Sequence, residues 1–128
     1  MTNNTIGSRK FDLEDRLIDF AVQLIALAES LPTSRTGSHL ANQLIRSGTS
    51  PALNYGEAQS SESRPDFIHK LKIVLKELRE TSICLRIIRR TNLSGSTDTL
   101  PNVYVECGEL IAIFAKSLQT AESRGKKP

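Results

Sequence analysis

The chain has few of the residues that build rigid or reactive frameworks. Its 128 positions include no tryptophan, two cysteines and 5% aromatic residues. With so few rings, a core drawn mainly from Leu, Ile and Ala suits packed helices better than a β-sandwich. Two cysteines fit a reducing compartment, and Cys84 and Cys107 are expected to act as small buried hydrophobes.

Long apolar runs are also missing. No stretch approaches the roughly 20 apolar residues of a membrane span, and the N-terminal residues MTNNTIGSRKF lack the apolar stretch of a signal peptide. We therefore expect a cytoplasmic protein. The length predicts a single domain.

Motifs for catalysis or metal binding are equally scarce. His39 and His69 fall in different predicted helices, with no further ligand at zinc spacing. There is no phosphate-binding glycine loop and no nucleophile elbow. The sequence predicts no enzyme, no metal, no cofactor and no small-molecule substrate.

What the chain does contain is four amphipathic segments. Apolar residues recur at helical spacing over residues 12–31, 38–62, 63–90 and 103–121. Asp12 and Ser63 are candidate N-caps, and Pro65 is tolerated in a first turn. The sequence predicts an all-α fold, an up-down-up-down four-helix bundle over residues 12–121. Residues 1–11 are expected to be a flexible arm, 91–102 a loop and 122–128 a basic tail.

The second predicted helix contains the unusual stretch IRSGTSPALNYGEA, residues 45–58. Pro51 lacks an N–H and pushes away the preceding turn, which predicts a kink there. Gly48 is expected to let the backbone bend, and Gly56 to let a neighbouring helix approach closely. The helical phase nevertheless continues through these residues.

One face of that helix is polar. Its members on an ideal helix are Arg46, Ser50, Asn54 and Glu57. These side chains either bond to a neighbouring helix and set its register, or line a pocket or contact surface. We take the first interpretation, because small polar groups beside a proline commonly satisfy freed carbonyls.

Positive charge concentrates on the third predicted helix. Residues 66–90 hold seven basic and three acidic residues, whereas residues 12–31 hold one basic and five acidic residues. Five cations fall within about 80° of arc on an ideal helix; this basic stripe consists of Lys72, Lys76, Arg79, Arg86 and Arg90. It is either a solubilising face neutralised by acidic neighbours or a surface that contacts phosphates.

The first predicted helix has more apolar surface than one core requires. Ile18, Val22 and Ile25 form a second apolar face, outside the arc of about 100° that packs inside a bundle. This apolar patch, Ile18–Val22–Ile25, predicts contact between subunits.

The segments SPALNYGEA and SSESRPDFIHKLKIVLKELRET resemble the small bundle proteins encoded within intervening sequences of bacterial 23S ribosomal RNA genes. Ser50, Asn54 and Glu57 match that family's pattern in the second helix, and Glu77 and Glu80 match its acidic positions in the third. The resemblance extends over about residues 11–121. Asn-Tyr-Gly-Glu-Ala stands here where many members read Asn-Ile-Ala-Glu-Gly.

The resemblance implies a bacterial four-helix bundle assembled as a ring of five, with no enzyme activity. The family includes the accessory protein of diversity-generating retroelements, a basic pentamer that binds nucleic acid and a reverse transcriptase. Together with the basic stripe, this predicts a non-catalytic oligomer that binds RNA or another polyanion. The alternative is a scaffold that binds only proteins.

Overall fold

The computed structural model describes residues 12–93 and 99–125. Within those ranges the chain is all-α, with no strand. The four helices are α1 (Leu13–Ser30), α2 (Arg35–Gln59), α3 (Arg64–Arg90) and α4 (Thr99–Gly125). The predicted N-terminal arm, residues 94–98 of the predicted loop and residues 126–128 of the predicted tail lie outside the described residues.

Two predicted N-caps are confirmed. The Asp12 carboxylate accepts a hydrogen bond from the Asp15 amide, and the Ser63 hydroxyl accepts one from the Asp66 amide, each at 3.2 Å. Each bond satisfies an amide that has no partner inside the helix. The beginnings of α1 and α3 therefore follow from local sequence.

The beginning of α2 was predicted too late. Ser34 is the cap, and its hydroxyl accepts from the Gly37 amide at 3.1 Å. Gly37 lies in the first turn of α2, where an added Cβ would lie 2.0 Å from the Pro32 carbonyl oxygen. Only glycine lets the Pro32 carbonyl approach so closely.

Helix α4 also begins earlier than predicted, at Thr99 instead of about residue 103, and continues to Gly125. Pro101 had indicated a loop, but a proline in the first turn loses no intrahelical hydrogen bond. Leu100 and Val103 are buried, so core packing accompanies this extra turn.

Helix α3 ends in a turn that reverses the backbone. Asn92 has a φ of 57°. The Leu93 amide donates to the Ile88 carbonyl and the Asn92 amide to the Arg89 carbonyl, at 3.2 and 3.1 Å. This pair of bonds is the Schellman pattern, with asparagine in the left-handed position that glycine usually takes.

Each helix packs against the next in sequence, and α1 also contacts α4. The largest fully buried side chains are Phe20, Phe114 and a set of leucines spread over all four helices. Burying one such side chain contributes about 1.5–3 kcal/mol. None of the described helices is both long and apolar enough to cross a membrane.

A network of ion pairs joins α1 to α4. The Arg16 guanidinium makes two bonds to Glu106, of 2.7 and 2.9 Å, and one of 2.9 Å to Glu109. A guanidinium that binds one carboxylate through two N–H groups is held in one orientation. These bonds, rather than apolar packing alone, orient the exposed edge of α1 against α4.

Gly48 and Gly56 of α2 differ in their surroundings. A Cβ on Gly48 would lie 2.3 Å from Leu24 Cδ1, whereas a Cβ on Gly56 would meet nothing within 4 Å. The close approach of a neighbouring helix is therefore at Gly48. The prediction for Gly56 was wrong because helical phase identifies a face but not which turn of it is in contact.

Candidate nucleic-acid interface

The basic stripe lies on the flank of α3 beside α4. Lys72, Lys76 and Arg79 border a shallow depression of about 460 Å³, together with one carboxylate, that of Glu80. The apolar residues of the depression are Leu75, Ile83 and Leu118. We call this depression the α3–α4 groove. Its apolar part contains Ile83, which is 50% exposed, so charge and apolar surface alternate along this side.

Four of the five stripe cations are exposed. The Lys72 ammonium lies 3.6 Å from Glu122, and the Lys76 ammonium lies 3.9 Å from Glu77. Both distances exceed those of a short charge-assisted hydrogen bond. Arg79 and Arg90 form no ion pair with any described residue.

Arg86 differs from the other members of the stripe. It is half-buried, and its Nε is buried without a hydrogen-bond partner among the described residues. The neighbouring Arg89, which the sequence analysis left out of the stripe, lies over the Tyr104 ring at 5.0 Å. The helical periodicity of the sequence predicted that Arg86 and Arg89 lie on α3. It did not predict which other side chains surround each of them.

The polar face of α2 divides into two parts. Arg46 bonds to Glu77 at 3.1 Å and to Glu80 at 2.6 Å. Glu57 accepts a 2.6 Å bond from Lys70. These pairs connect the two ends of this face to α3, which is the arrangement that sets a register between helices.

Ser50 and Asn54, by contrast, bond to each other. The Asn54 amide nitrogen donates to the Ser50 carbonyl at 3.0 Å and to the Ser50 hydroxyl at 2.9 Å. The carbonyl that lacks its usual donor beside Pro51 is that of Ser47. The side chain of Asn54 therefore reinforces the turn after the proline and does not reach the freed carbonyl.

Sequence analysis missed a buried polar contact between α2 and α3. Ser47 and Thr81 are both fully buried, and their hydroxyl oxygens lie 2.9 Å apart. Ser47 follows the buried Leu44 by three residues, and Thr81 follows the buried Leu78 by three. The sequence feature that could have predicted this contact is the presence of small polar residues at core-facing positions on both helices.

The apolar patch of α1 is exposed as predicted from its spacing. Ile18, Val22 and Ile25 are 43%, 59% and 38% exposed. Further exposed apolar residues lie on the other helices: Leu53, Ile83, Ile87 and Val105. Since isolated apolar residues are common on surfaces, the row of three along α1 is the more informative feature.

The described side chains offer little reactive chemistry. Both cysteines are free and buried. Burial raises the pKa of the Cys84 thiol to about 11 and that of Cys107 to about 12, so neither is a thiolate near neutrality. No group of three or more His, Cys, Asp or Glu among the described residues could hold a metal ion.

The geometry defines a helical protein with an accessible row of cations on one helix and an exposed apolar row on another. The model of the 23S rRNA-intervening sequence protein family matches residues 9–116, and the chain belongs to that family. A similar crystal structure, at 1.70 Å, is a protein of unknown function from the S23 ribosomal protein family of Bacteroides thetaiotaomicron. The two are 30% identical with a TM-score of 0.75, over 82% of this chain and 96% of that one. None of the curated proteins matches this chain.

Proposed function

We propose that this chain is a non-catalytic, self-associating bundle protein that binds RNA or another polyanion through the basic stripe of α3. The proposal rests on a difference between the cations that bind carboxylates on a neighbouring helix and the exposed cations of the basic stripe. Arg16, Arg46 and Lys70 each have a carboxylate oxygen within 2.9 Å on a neighbouring helix. The exposed stripe cations have no such close partner among the described residues, so they remain available to phosphates.

The chemistry of the stripe favours binding without sequence preference. Cations that contact phosphates release counterions, so affinity falls steeply with salt. Stacking on bases needs aromatic side chains, and the stripe contains none. Stacking on the bases would therefore contribute little to binding.

Self-association would multiply these contacts. The Ile18–Val22–Ile25 patch is a row of exposed apolar side chains that a second subunit could cover. Several copies of the stripe on one RNA would act together, because binding by one copy raises the effective concentration of the next. The family resemblance implies a ring of five in a bacterium, and the lack of a signal-peptide pattern in the sequence predicts the cytoplasm.

Two details of the fold belong to the same proposal. We infer an up-down-up-down order, and the contacts between α2 and α3, which run in opposite directions along the two helices, support it. Arg46 bonds to Glu77 while Glu57, further along α2, bonds to Lys70, earlier along α3. A kink of α2 at Pro51 is inferred from the missing proline N–H.

Fluorescence anisotropy with a labelled single-stranded RNA tests the proposal. One phosphate contact from each of the four exposed stripe cations predicts an affinity loss of about fiftyfold between 50 and 200 mM salt. The variant Lys76→Gln/Arg79→Gln/Arg90→Gln should reduce the slope of log affinity against log salt by about 2.

The matched control removes the same charge elsewhere, in Arg35→Gln/Lys116→Gln/Arg124→Gln. It should bind RNA more tightly than the stripe variant and keep most of the wild-type slope. Equal losses in the two variants would contradict a localised interface. Absence of salt-dependent RNA binding by the wild type would rule out the proposal altogether.

The second candidate is a scaffold that binds acidic protein surfaces. The exposed Ile83 and Ile87 beside the stripe favour it, because protein interfaces combine apolar centres with charged rims. A scaffold would purify without retained RNA, with the absorbance ratio of clean protein.

A further inference from the structure

A second groove has its own set of lining residues, none of which belongs to the basic stripe. It forms where α1 begins, α2 ends, α3 begins and α4 ends, and its volume is about 460 Å³. Small-molecule sites commonly have volumes of about 300–1,000 Å³ and largely apolar linings. We call this depression the end groove.

The lower part of the end groove is apolar. Phe114 and Leu71 are fully buried beneath it, and Phe67 and Ile113 are half-buried at its sides. Tyr55 packs edge-on against Phe114, with ring centroids 5.4 Å apart. Besides the hydroxyls of Tyr55, Ser117 and Thr120, the uncharged part of the lining is apolar, so it suits a hydrocarbon chain or ring better than a sugar or a nucleotide.

The border of the end groove is cationic. Arg64, Lys116 and Arg124 line it, and all three are exposed. No carboxylate is among the described lining residues. Acidic groups lie outside this lining: Glu62 lines the adjacent depression, and Glu14 acts electrostatically on Tyr55.

None of the three cations forms an ion pair with a described residue. Arg64 makes one long hydrogen bond, of 3.4 Å, to the Ala121 carbonyl. The Tyr55 hydroxyl accepts a bond from Gln59 at 3.3 Å. Burial raises the pKa of Tyr55, so this hydroxyl keeps its proton at neutral pH and is able to donate it to a ligand.

We propose that the end groove binds a small amphipathic anion, with its apolar body against Phe67 and Ile113, above the buried Leu71 and Phe114, and its acidic head at Arg64, Lys116 and Arg124. An apolar surface without carboxylates, bordered by positive charge alone, favours a ligand that is apolar at one end and anionic at the other. A neutral ligand would leave the cations without partners, and a cationic one would be repelled. The proposal is independent of nucleic-acid binding, because it uses none of the stripe residues.

Calorimetry with sodium decanoate tests the site. The wild-type protein should bind decanoate saturably. It should bind decyltrimethylammonium, which has the same chain and opposite charge, at least about tenfold more weakly. One hydrogen bond to a charged group alone changes affinity by about that factor. The variant Lys116→Gln/Arg124→Gln should weaken decanoate binding about tenfold or more.

The control Arg35→Gln/Arg79→Gln removes equal charge outside the end groove and should leave decanoate affinity within about twofold. Methyl NMR of the wild type locates the ligand without a mutation. Decanoate should shift the methyl signals of Leu71 and Ile113 but not those of Ile83 and Leu118. No saturable binding, equal binding of the cationic amphiphile, equal loss in both variants, or shifts confined to the α3–α4 groove would each overturn the proposal.

Discussion

The contact between Gly48 and Leu24 allows a prediction in which two physical effects have opposite signs. In a helix interior, alanine is more favourable than glycine by about 1 kcal/mol. At Gly48, however, an added Cβ would lie 2.3 Å from Leu24 Cδ1 and 3.2 Å from Leu24 Cβ. Leu24 is fully buried, so it has little room to move away.

We expect the packing effect to be larger. Overfilling a well-packed core typically costs about 1–3 kcal/mol, which exceeds the gain in helix propensity. Gly48→Ala should therefore lower the free energy of unfolding by about 1 kcal/mol. At Gly56 in the same helix, an added Cβ would have no neighbouring atom within 4 Å. Gly56→Ala should therefore raise the free energy of unfolding by about 0.5–1 kcal/mol.

Urea unfolding followed by circular dichroism measures both variants. Protein concentration must be equal throughout, because self-association adds to apparent stability. Leu24→Ala alone should cost about 2–5 kcal/mol, and combining it with Gly48→Ala should cost less than the sum, by about 1 kcal/mol. If Gly48→Ala stabilised the protein as much as Gly56→Ala does, the assigned contact would be wrong.

Two further predictions concern the surface and the core. Val22→Glu/Ile25→Glu should give soluble, helical monomers by light scattering, because charges at the exposed patch prevent a second subunit from covering it. Cys84 and Cys107 should react with a thiol reagent at pH 8 more than about a hundredfold faster in denaturant than in the folded protein. Their raised pKa values of about 11 and 12 leave little thiolate in the native state.

Matched comparisons make both predictions testable. Gln23→Glu/Ala26→Glu adds the same charge on exposed positions of α1 outside the patch and should leave the oligomer mass unchanged. An unchanged mass in the patch variant would count against the subunit contact. Rapid thiol reaction in the folded protein would indicate that the helices covering the cysteines open readily.

Much of the secondary structure follows from sequence alone. Asp12 and Ser63 were recognised as caps because a side chain that accepts from an amide three residues on is a local interaction. The apolar periodicity of α1 likewise predicted both its buried face and its exposed patch, since position on an ideal helix depends only on residue number.

The candidate sites were less predictable. Periodicity gathered the five stripe cations on one flank, but it could not show that Arg86 would have a buried Nε or that Leu118 of α4 would lie beside them. The end groove was not predicted at all, because its lining comes from four helices. No local pattern joins Tyr55, Phe67 and Lys116, which meet only after the helices pack.

The sequence by itself determined which residues form helices and which face of each is apolar, because both depend on neighbours within about one turn. The tertiary structure alone decided which turn of a face touches another helix. It assigned the close approach to Gly48 instead of Gly56 and paired Ser47 with Thr81. Such contacts depend on how helices are shifted along one another, and that shift is set by the packing of the whole core.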